Sequence, residues 1–555
     1  MKSLLFLALI SYFIISPLLA GVNLKNGNFY ISYTDIVVPG GGTNLKITRT
    51  YNSKSIKKGW FGVGWGSNFE TRLWVSADGS VIIREYGAGA VTRFTSKEEI
   101  NVKDAVGRIF EAMGREGLSI DGSYGEKLRK DLSTNAELRR RYAKKHGVSV
   151  KLAAGSELFS VKRGFQKVIK LKDGYGRIHT SGKKEIFDED GKLLKISHKN
   201  GHQIKFNYKG DRLKSIKDSD AKQIFFKWYG NGLVKSILSV GKKSSTYKYD
   251  GKNLVEAQDI GGNLYTYGYD DKHNMTSIIY VDKSSRKIEY TSKSGFVSQI
   301  TSRDGSLKKY TYGSDSKNKD LHYWTTVTKE NDQGAETSNR YEYELRRKKD
   351  GSVFTYRVLT IERGLKTETT YNECCSLPVK IETGFEKEST ASDGNKFITT
   401  FKYNKRGLLT EKESSSGKFV KLNYHRKFNK ITKVIVNSGT TNFKYDKRGH
   451  LAQATNDKGR SVLLIYDRLG RIGKMVDYNK ETKRKRSLSF KYNSIGKPIE
   501  IAMSKVGRIN VSYDNYGNIK RVKSKSGSKI AAQVTAAFQA LLGIIRPAGV
   551  NLSSM

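Results

Sequence analysis

Proline is nearly missing from this chain. Its 555 residues include 5 prolines, against a usual share of about 5%, which excludes Pro-rich linkers and collagen-like stretches. The 2 cysteines are too few for a disulfide framework or a Cys-rich zinc module. Acidic residues are short as well: 54 Asp and Glu face 101 Lys and Arg, for a net charge of +47. No HExxH, GxSxG, P-loop or Asp-Pro sequence occurs. Beyond the first 20 residues no apolar run is long enough to cross a bilayer, so a mature chain without a membrane span is expected. What is present in quantity is aromatic: 32 Tyr and 23 Phe, beside 54 Gly. Such large apolar groups argue against disorder despite the charge. The glycines supply a turn roughly every ten residues. Many turns, many aromatics and little proline predict a long succession of short strands, in two or three units for a chain this long.

Residues 1–20 read MKSLLFLALISYFIISPLLA. One Lys precedes an apolar core that ends near Pro17 and Ala20, the pattern of a secretory signal peptide cleaved before Gly21. Export to the periplasm, cell surface or medium is the expectation. An uncleaved anchor is the alternative, because Leu18 replaces the usual small residue and the run of about 17 apolar residues is at the short limit for a bilayer. No Cys follows Ala20, so lipid attachment is not expected there.

A period organises most of the rest. Phe187, Tyr208, Tyr229, Tyr249, Tyr269, Tyr290 and Tyr312 are spaced 21, 21, 20, 20, 21 and 22 apart. Tyr403, Tyr424, Tyr445, Tyr466, Tyr492 and Tyr513 follow at 21, 21, 21, 26 and 21. The aromatic is often followed by Asp or Asn, with Gly four residues on, as at Tyr445-Asp446 with Gly449 and Tyr466-Asp467 with Gly470. Before it, apolar residues alternate with polar ones: Val420, Leu422 and Tyr424 share a face, as do Tyr265, Tyr267 and Tyr269. Period two means β-strand. About 21 residues with two turn signals hold two strands, so consecutive units should pair side by side into one long antiparallel ribbon.

Units such as YDKRGHLAQATNDKGRSVLLI and YDRLGRIGKMVDYNKE resemble the YD repeats of bacterial RHS-type proteins, the repeat shared with the extracellular part of teneurins. The segments Gly27-Asn28-Phe29, Thr34-Asp35, Pro39-Gly40, Ile47-Thr48-Arg49-Thr50-Tyr51-Asn52-Ser53 and Phe61-Gly62-Val63-Gly64-Trp65 are similar, in the same order, to the domain that precedes RHS repeats. The resemblance covers roughly residues 21–100 and 187–525. It implies a mainly β fold in which a continuous ribbon winds into a hollow shell, smaller or less closed than usual because this chain is short for the family. Tyr and Phe would point inward and Lys outward. Self-cutting RHS proteins carry a DPxGL-type motif, which this sequence departs from, so self-cutting is not expected, and with about 30 residues after the last unit a toxin domain is not expected either.

The expected organisation is a signal peptide at 1–20, an N-terminal β domain at 21–100, a helical insertion at 101–185, a first repeat series at 186–312, an irregular β and loop region at 313–400, a second series at 401–528, and an amphipathic helix and tail at 529–555. Val106, Ile109, Phe110 and Met113 have helical spacing, Thr134 to Glu137 fits a capping box, and Gly147 sits where a helix would stop. Ile530, Val534, Phe538, Leu541 and Ile545 make the stripe of the tail.

Residues that could carry chemistry read mostly as structure. Cys374 and Cys375 are adjacent: a vicinal disulfide or a structural pair in a loop, with oxidation state open. His198 and His202 lack a common helix face, so zinc is not expected. Asp250, Asp270, Asp446, Asp467 and Asp514 read as turn residues bonding their own backbone, and Gly62, Gly64 and Gly66 as tight turns around Trp60 and Trp65. No cofactor is expected. Lys is spread along every repeat rather than clustered, which fits a solvated face that also blunts edge-to-edge aggregation, and specific nucleic-acid binding is not expected. Three functions remain open: an exported non-enzymatic structural or interaction protein with anionic envelope polymers or glycans as partners, a carrier shell around a separately encoded toxin or other small protein cargo, and a carbohydrate-active envelope enzyme.

Overall fold

The computed structural model describes residues 20–523 apart from 39–44, 88, 97–99, 119, 161–164, 199–200, 220, 240–243, 331–333, 335, 386–395, 494–497 and 514–518, together with Gln533. The expected leader up to residue 19, and the tail helix at 529–555 apart from Gln533, lie outside the described residues.

One antiparallel sheet of 33 strands runs from Glu157–Ser160 to Ile519–Lys523, each strand bonded to its sequence neighbours. The fold is thus mainly β. Among the described residues, the first and last strands of this sheet are not paired with one another, so hydrogen bonds do not close the ribbon.

The unit has a fixed register. Its aromatic stands opposite an apolar residue first or second in the next strand, as in Tyr208↔Leu213, Tyr249↔Leu254, Tyr424↔Ile431 and Tyr466↔Ile472, and the register shifts immediately before the aromatic in each case. This recurrent bulge bends and twists the ribbon once per unit. The hydroxyl of the following unit's aromatic then reaches back 15 residues: Tyr208 donates to the carbonyl of Leu193, Tyr249 to Val234, Tyr269 to Leu254, Tyr290 to Met275, Tyr312 to Val297, Tyr424 to Leu409 and Tyr466 to Leu451, at 2.6 to 3.0 Å. Tyrosine recurs because it fills the inner face and also satisfies a carbonyl there. Lys248, Lys402 and Lys491 lie on the opposite, outer face, each 69% exposed.

One member of the aromatic series is displaced. Trp228, not Tyr229, stands opposite Val234 after the bulge, and its indole N–H donates to the Leu213 carbonyl at 2.8 Å. Tyr229 begins the turn, with its ring against Tyr249. Two adjacent aromatics compete for one slot, and the pairing register decides between them.

The domain bounds also differ from expectation in two places. Three helices, α1 (Val102–Arg115), α2 (Gly122–Thr134) and α3 (Ala136–Lys145), occupy only the first half of 101–185, and the ribbon already begins at Glu157. Asn135 rather than Thr134 caps α3, accepting from the amide of Leu138, while the Thr134 hydroxyl donates to the Lys130 carbonyl. Residues 313–400, expected as irregular β and loop, hold the longer strands Glu336–Arg347 and Val353–Glu362, of 12 and 10 residues. Tyr371 there takes the repeat register, opposite Pro378 after a bulge.

Residues 21–94 form small sheets of their own, including the strands Asn28–Val38 and Leu45–Asn52. Their core is continuous with that of the ribbon from Leu158 to Tyr310. The helices make a third cluster around Ile109 and Leu132. They dock on the hairpin turn at Lys348–Ser352, where the Ala136 amide donates to the Gly351 carbonyl and Arg139 to that of Asp350.

Candidate functional site

The ribbon's inner face has two halves with different surroundings. Over the first series the N-terminal domain lies on it, with one aromatic against each of three successive units and two against the next. Phe69 meets Phe206 at 5.2 Å, Trp60 meets Phe226 at 5.7 Å, Phe61 meets Tyr247 at 4.9 Å, Trp65 meets Tyr267 at 5.4 Å, and Tyr33 meets Tyr265 at 4.6 Å. Edge-on contacts of this kind add to area burial.

The domain is fastened along the rim formed by the turns that follow the repeat aromatics. The Leu73 amide donates to Gly191, the Val63 amide to Lys252, and Lys58 to Asn231. Val234 and Val297 donate to the carbonyls of Trp60 and Gly27, and Tyr51 donates to His273 while accepting from the Met275 amide. The close approach explains two glycines. A Cβ on Gly191 would lie 1.8 Å from the Leu73 carbonyl oxygen, and one on Gly62, at φ +103, would lie 2.5 Å from that of Lys252.

Charges are buried where the two parts meet. Arg49 (0% exposed) donates to Asp35 (1% exposed) at 2.7 Å, and Tyr247 donates to the same carboxylate oxygen at 2.9 Å. The Arg49 guanidinium lies over Tyr33 and Trp65, 4.5 and 4.7 Å from their ring centres, an arrangement favoured by the ring quadrupole. Burial pushes the Asp35 carboxyl above the ordinary range, with Arg49 and Tyr247 acting against it. A second network joins Arg177 to Glu85 at 2.7 Å and to Glu185 at 3.1 Å, with Gln166 accepting from Nε and Thr92 donating to Glu85. Burial opposes ionisation of Glu185, but His179, Lys183 and Arg177 hold its carboxyl well below the usual range. These groups bond one another and clamp the N-terminal domain to the ribbon. They are buried pairs whose breakage leaves a naked charge.

Over the second series, Leu422, Ile431, Phe443, Val462, Leu464, Met475 and Leu488 form a separate core, with Tyr424, Tyr445 and Tyr466 half-buried against it. Tyr403 and Tyr492 bond the carbonyls of Pro378 and Ile472. Phe187 is fully buried in the first core. Tyr513 closes its strand opposite Ile519. The turn aspartates bond their own loops. Asp270 accepts from the amides of Lys272 and Asn274, and Asp467 from those of Leu469 and Arg471. Asp250 ends its strand opposite Asn253, and Asp514 lies outside the described residues.

Cys374 and Cys375 are joined by a disulfide in the turn between the strands Leu365–Tyr371 and Pro378–Phe385. His198 and His202 flank a tight turn, with ring centres 5.8 Å apart. Among the described residues no three His, Cys, Asp or Glu side chains are grouped to hold a metal, and no helix is long and apolar enough to cross a membrane. The fastening of the N-terminal domain is a contact between distant segments and has no local sequence signal beyond the glycines and aromatics themselves.

Residues 20–94 match the family described as "Domain of unknown function (DUF6531)". The chain is 24% identical over 284 residues to "tRNA(Glu)-specific nuclease WapA" of Bacillus subtilis subsp. natto, a match that spans 46% of this chain and 12% of that protein. Among solved structures it is similar to "Crystal Structure of TcdB2-TccC3-Cdc42", at 9% identity and a TM-score of 0.43, and to "Crystal Structure of TcdB2-TccC3 without hypervariable C-terminal region", at 11% and 0.44. Both cover 92% of this chain and 28% of the solved chain.

Proposed function

We propose that this chain is an exported, non-enzymatic β-shell protein of the cell envelope or surface, built on YD-type repeats, whose role is structural or interactive. The observation that carries this reading is the continuous ribbon whose inner face, over the first series, is filled by the chain's own N-terminal domain. The charges in that interior, Asp35 with Arg49 and Arg177 with Glu85 and Glu185, are engaged with one another rather than turned toward a substrate. The Lys-rich outer face supports an acidic glycan or another anionic envelope polymer as partner, held by electrostatics that salt screens.

A second reading, a carrier for a separately encoded protein cargo, is favoured by the second series. Among the described residues its core is made of ribbon residues alone, with no N-terminal aromatics over it. Two measurements test both readings. The purified full chain is passed over an immobilised acidic glycan and its neutral counterpart, and the protein isolated from its native cells is imaged by electron microscopy. Retention by the acidic polymer alone, lost as salt rises to about 0.15 M, is the expected result. Equal retention by the neutral polymer overturns the electrostatic partner, and cleavage of either polymer overturns the non-enzymatic reading. A folded partner seated on the Tyr424–Tyr492 face replaces it with the carrier.

A further inference from the structure

Where the N-terminal domain meets α3, positive charges gather without counterions. Arg72 and Arg84 stand directly opposite each other in the pair of strands Arg72–Val75 and Val81–Arg84, and Arg72 also bridges to Lys192. Like charges in direct cross-strand register are destabilising on their own. Two lysines add to them from other elements. They are Lys144 on α3 and Lys57 in the turn after Leu45–Asn52, whose charge acts on Lys144.

Trp74 forms the floor, with Lys144 4.0 Å and Arg84 5.3 Å from its ring centre. Lys192 is paired with Asp211, and Arg140 with Glu137. Among the described residues, Lys57, Arg72, Arg84 and Lys144 have no carboxylate partner within ion-pair distance. Glu70 is the carboxyl that acts on Arg84, but it is turned to the amides of Trp60 and Ser67. Lys57 and Arg84 also line a cavity of about 360 Å³, together with Asn23, Asn26, Asn52 and Lys54. Its wall offers ammonium, guanidinium and amide groups, and no carboxylate.

We propose that this cleft is a binding site for a phosphate group, free or carried by a saccharide, seated between Lys57, Lys144 and Arg84. A single carboxylate is satisfied by one guanidinium, whereas cations converging from a turn, a strand and a helix match a multiply charged oxyanion with several free oxygens. The amide side chains of Asn23, Asn26 and Asn52 are placed to meet hydroxyls beside that group. The site is independent of the shell reading.

Burial, with the charges of Lys57, Arg84 and Arg72 facing it, holds Lys144 down at about 8, and burial and Arg84 lower Lys57. A bound anion restores these protons, so binding takes up protons near pH 8 and weakens above it. The test is calorimetric titration of the full chain at fixed ionic strength with inorganic phosphate, glucose 6-phosphate and glucose, on the wild type, on Lys57→Ala/Lys144→Ala, and on the outer-face control Lys248→Ala/Lys402→Ala. The expected result is saturable phosphate binding that falls about tenfold or more in the cleft variant and is unchanged in the control. A sugar phosphate that binds about tenfold more tightly than phosphate assigns the saccharide source, and equal affinity assigns the free ion. No saturable binding by the wild type, or equal loss in the control variant, overturns the site.

Discussion

Removing one oxygen atom at Tyr269 isolates the join between the N-terminal domain and the ribbon. The Tyr269 hydroxyl donates to the Leu254 carbonyl at 2.8 Å and accepts from the Trp65 indole N–H at 2.9 Å. Tyr466 makes only the first kind of bond, to Leu451 at 2.8 Å. Phenylalanine keeps either ring in place. Both substitutions therefore lose the bond to a carbonyl, worth about 1 kcal/mol. Tyr269→Phe also leaves the N–H of a fully buried tryptophan without a partner, which costs about 1–3 kcal/mol more. Urea unfolding followed by tryptophan fluorescence should place the Tyr269→Phe transition well below that of Tyr466→Phe. A chain of several units need not unfold in one step, so the comparison is between the two variants under one protocol. Equal shifts, or the larger shift at Tyr466, would show that Trp65 is not sealed against the ribbon and would sink the fastening described above.

Arg49→Met should destabilise the chain by about 3–5 kcal/mol by stranding Asp35, and an Arg49→Met/Asp35→Leu double variant should recover much of it; denaturation midpoints decide. Glu70 supplies a pH signature. Burial pushes its carboxyl up to about 8 from 4.5, so the folded chain holds the proton more tightly than the unfolded one. That stabilisation is complete below about 4.5 and lost as pH rises through about 8. The thermal midpoint of the wild type should accordingly fall relative to Glu70→Gln between about pH 5 and 9, and parallel curves would count against it. Tyr466→Ala should cost roughly 3 kcal/mol, and Lys474→Ala on the same unit's exposed face far less. Cys374→Ser/Cys375→Ser should stay within about 0.5 kcal/mol of the wild type, because Asn372 and Leu377 already close that turn through paired backbone and side-chain bonds; a shift of several kcal/mol would make the disulfide structural.

The period was legible because each unit repeats the same local demands: alternation, an aromatic, an Asx turn and a glycine. Where a slot held two aromatics, at Trp228 and Tyr229, spacing alone favoured the wrong one, since a bulge shifts register by one residue without altering composition. Residues 313–400 escaped because longer strands stretch the interval between turns. The first ribbon strands from Glu157 to His179 escaped because they precede the first aromatic of the series. The cap at Asn135 was missed by one position, as Thr134 and Asn135 are both competent caps and only backbone geometry separates them. The phosphate cleft had no sequence signal. Lys57, Arg72, Arg84 and Lys144 come from separate elements, and each is one basic residue among 101.

The bond from each tyrosine to the preceding unit makes the two rims unequal in what they tolerate. Between Tyr466 and Tyr492 the chain carries five residues more than the usual 21, yet Tyr492 still bonds Ile472, now 20 residues away. The surplus is taken up by the longer hairpin Ile472–Asn479 and Lys485–Tyr492, on the rim away from the repeat turns. Tyr403 reaches Pro378 across 25 residues in the same way. Length can be added on that side without breaking the ladder, whereas the repeat turns span only 5 to 7 residues from the aromatic to its partner and, in the first series, are held by the domain bound to them. A reporter or binding loop spliced into the Lys480–Arg484 turn is the graft this architecture accommodates, and the opposite rim is where lineages of such chains should vary least in length.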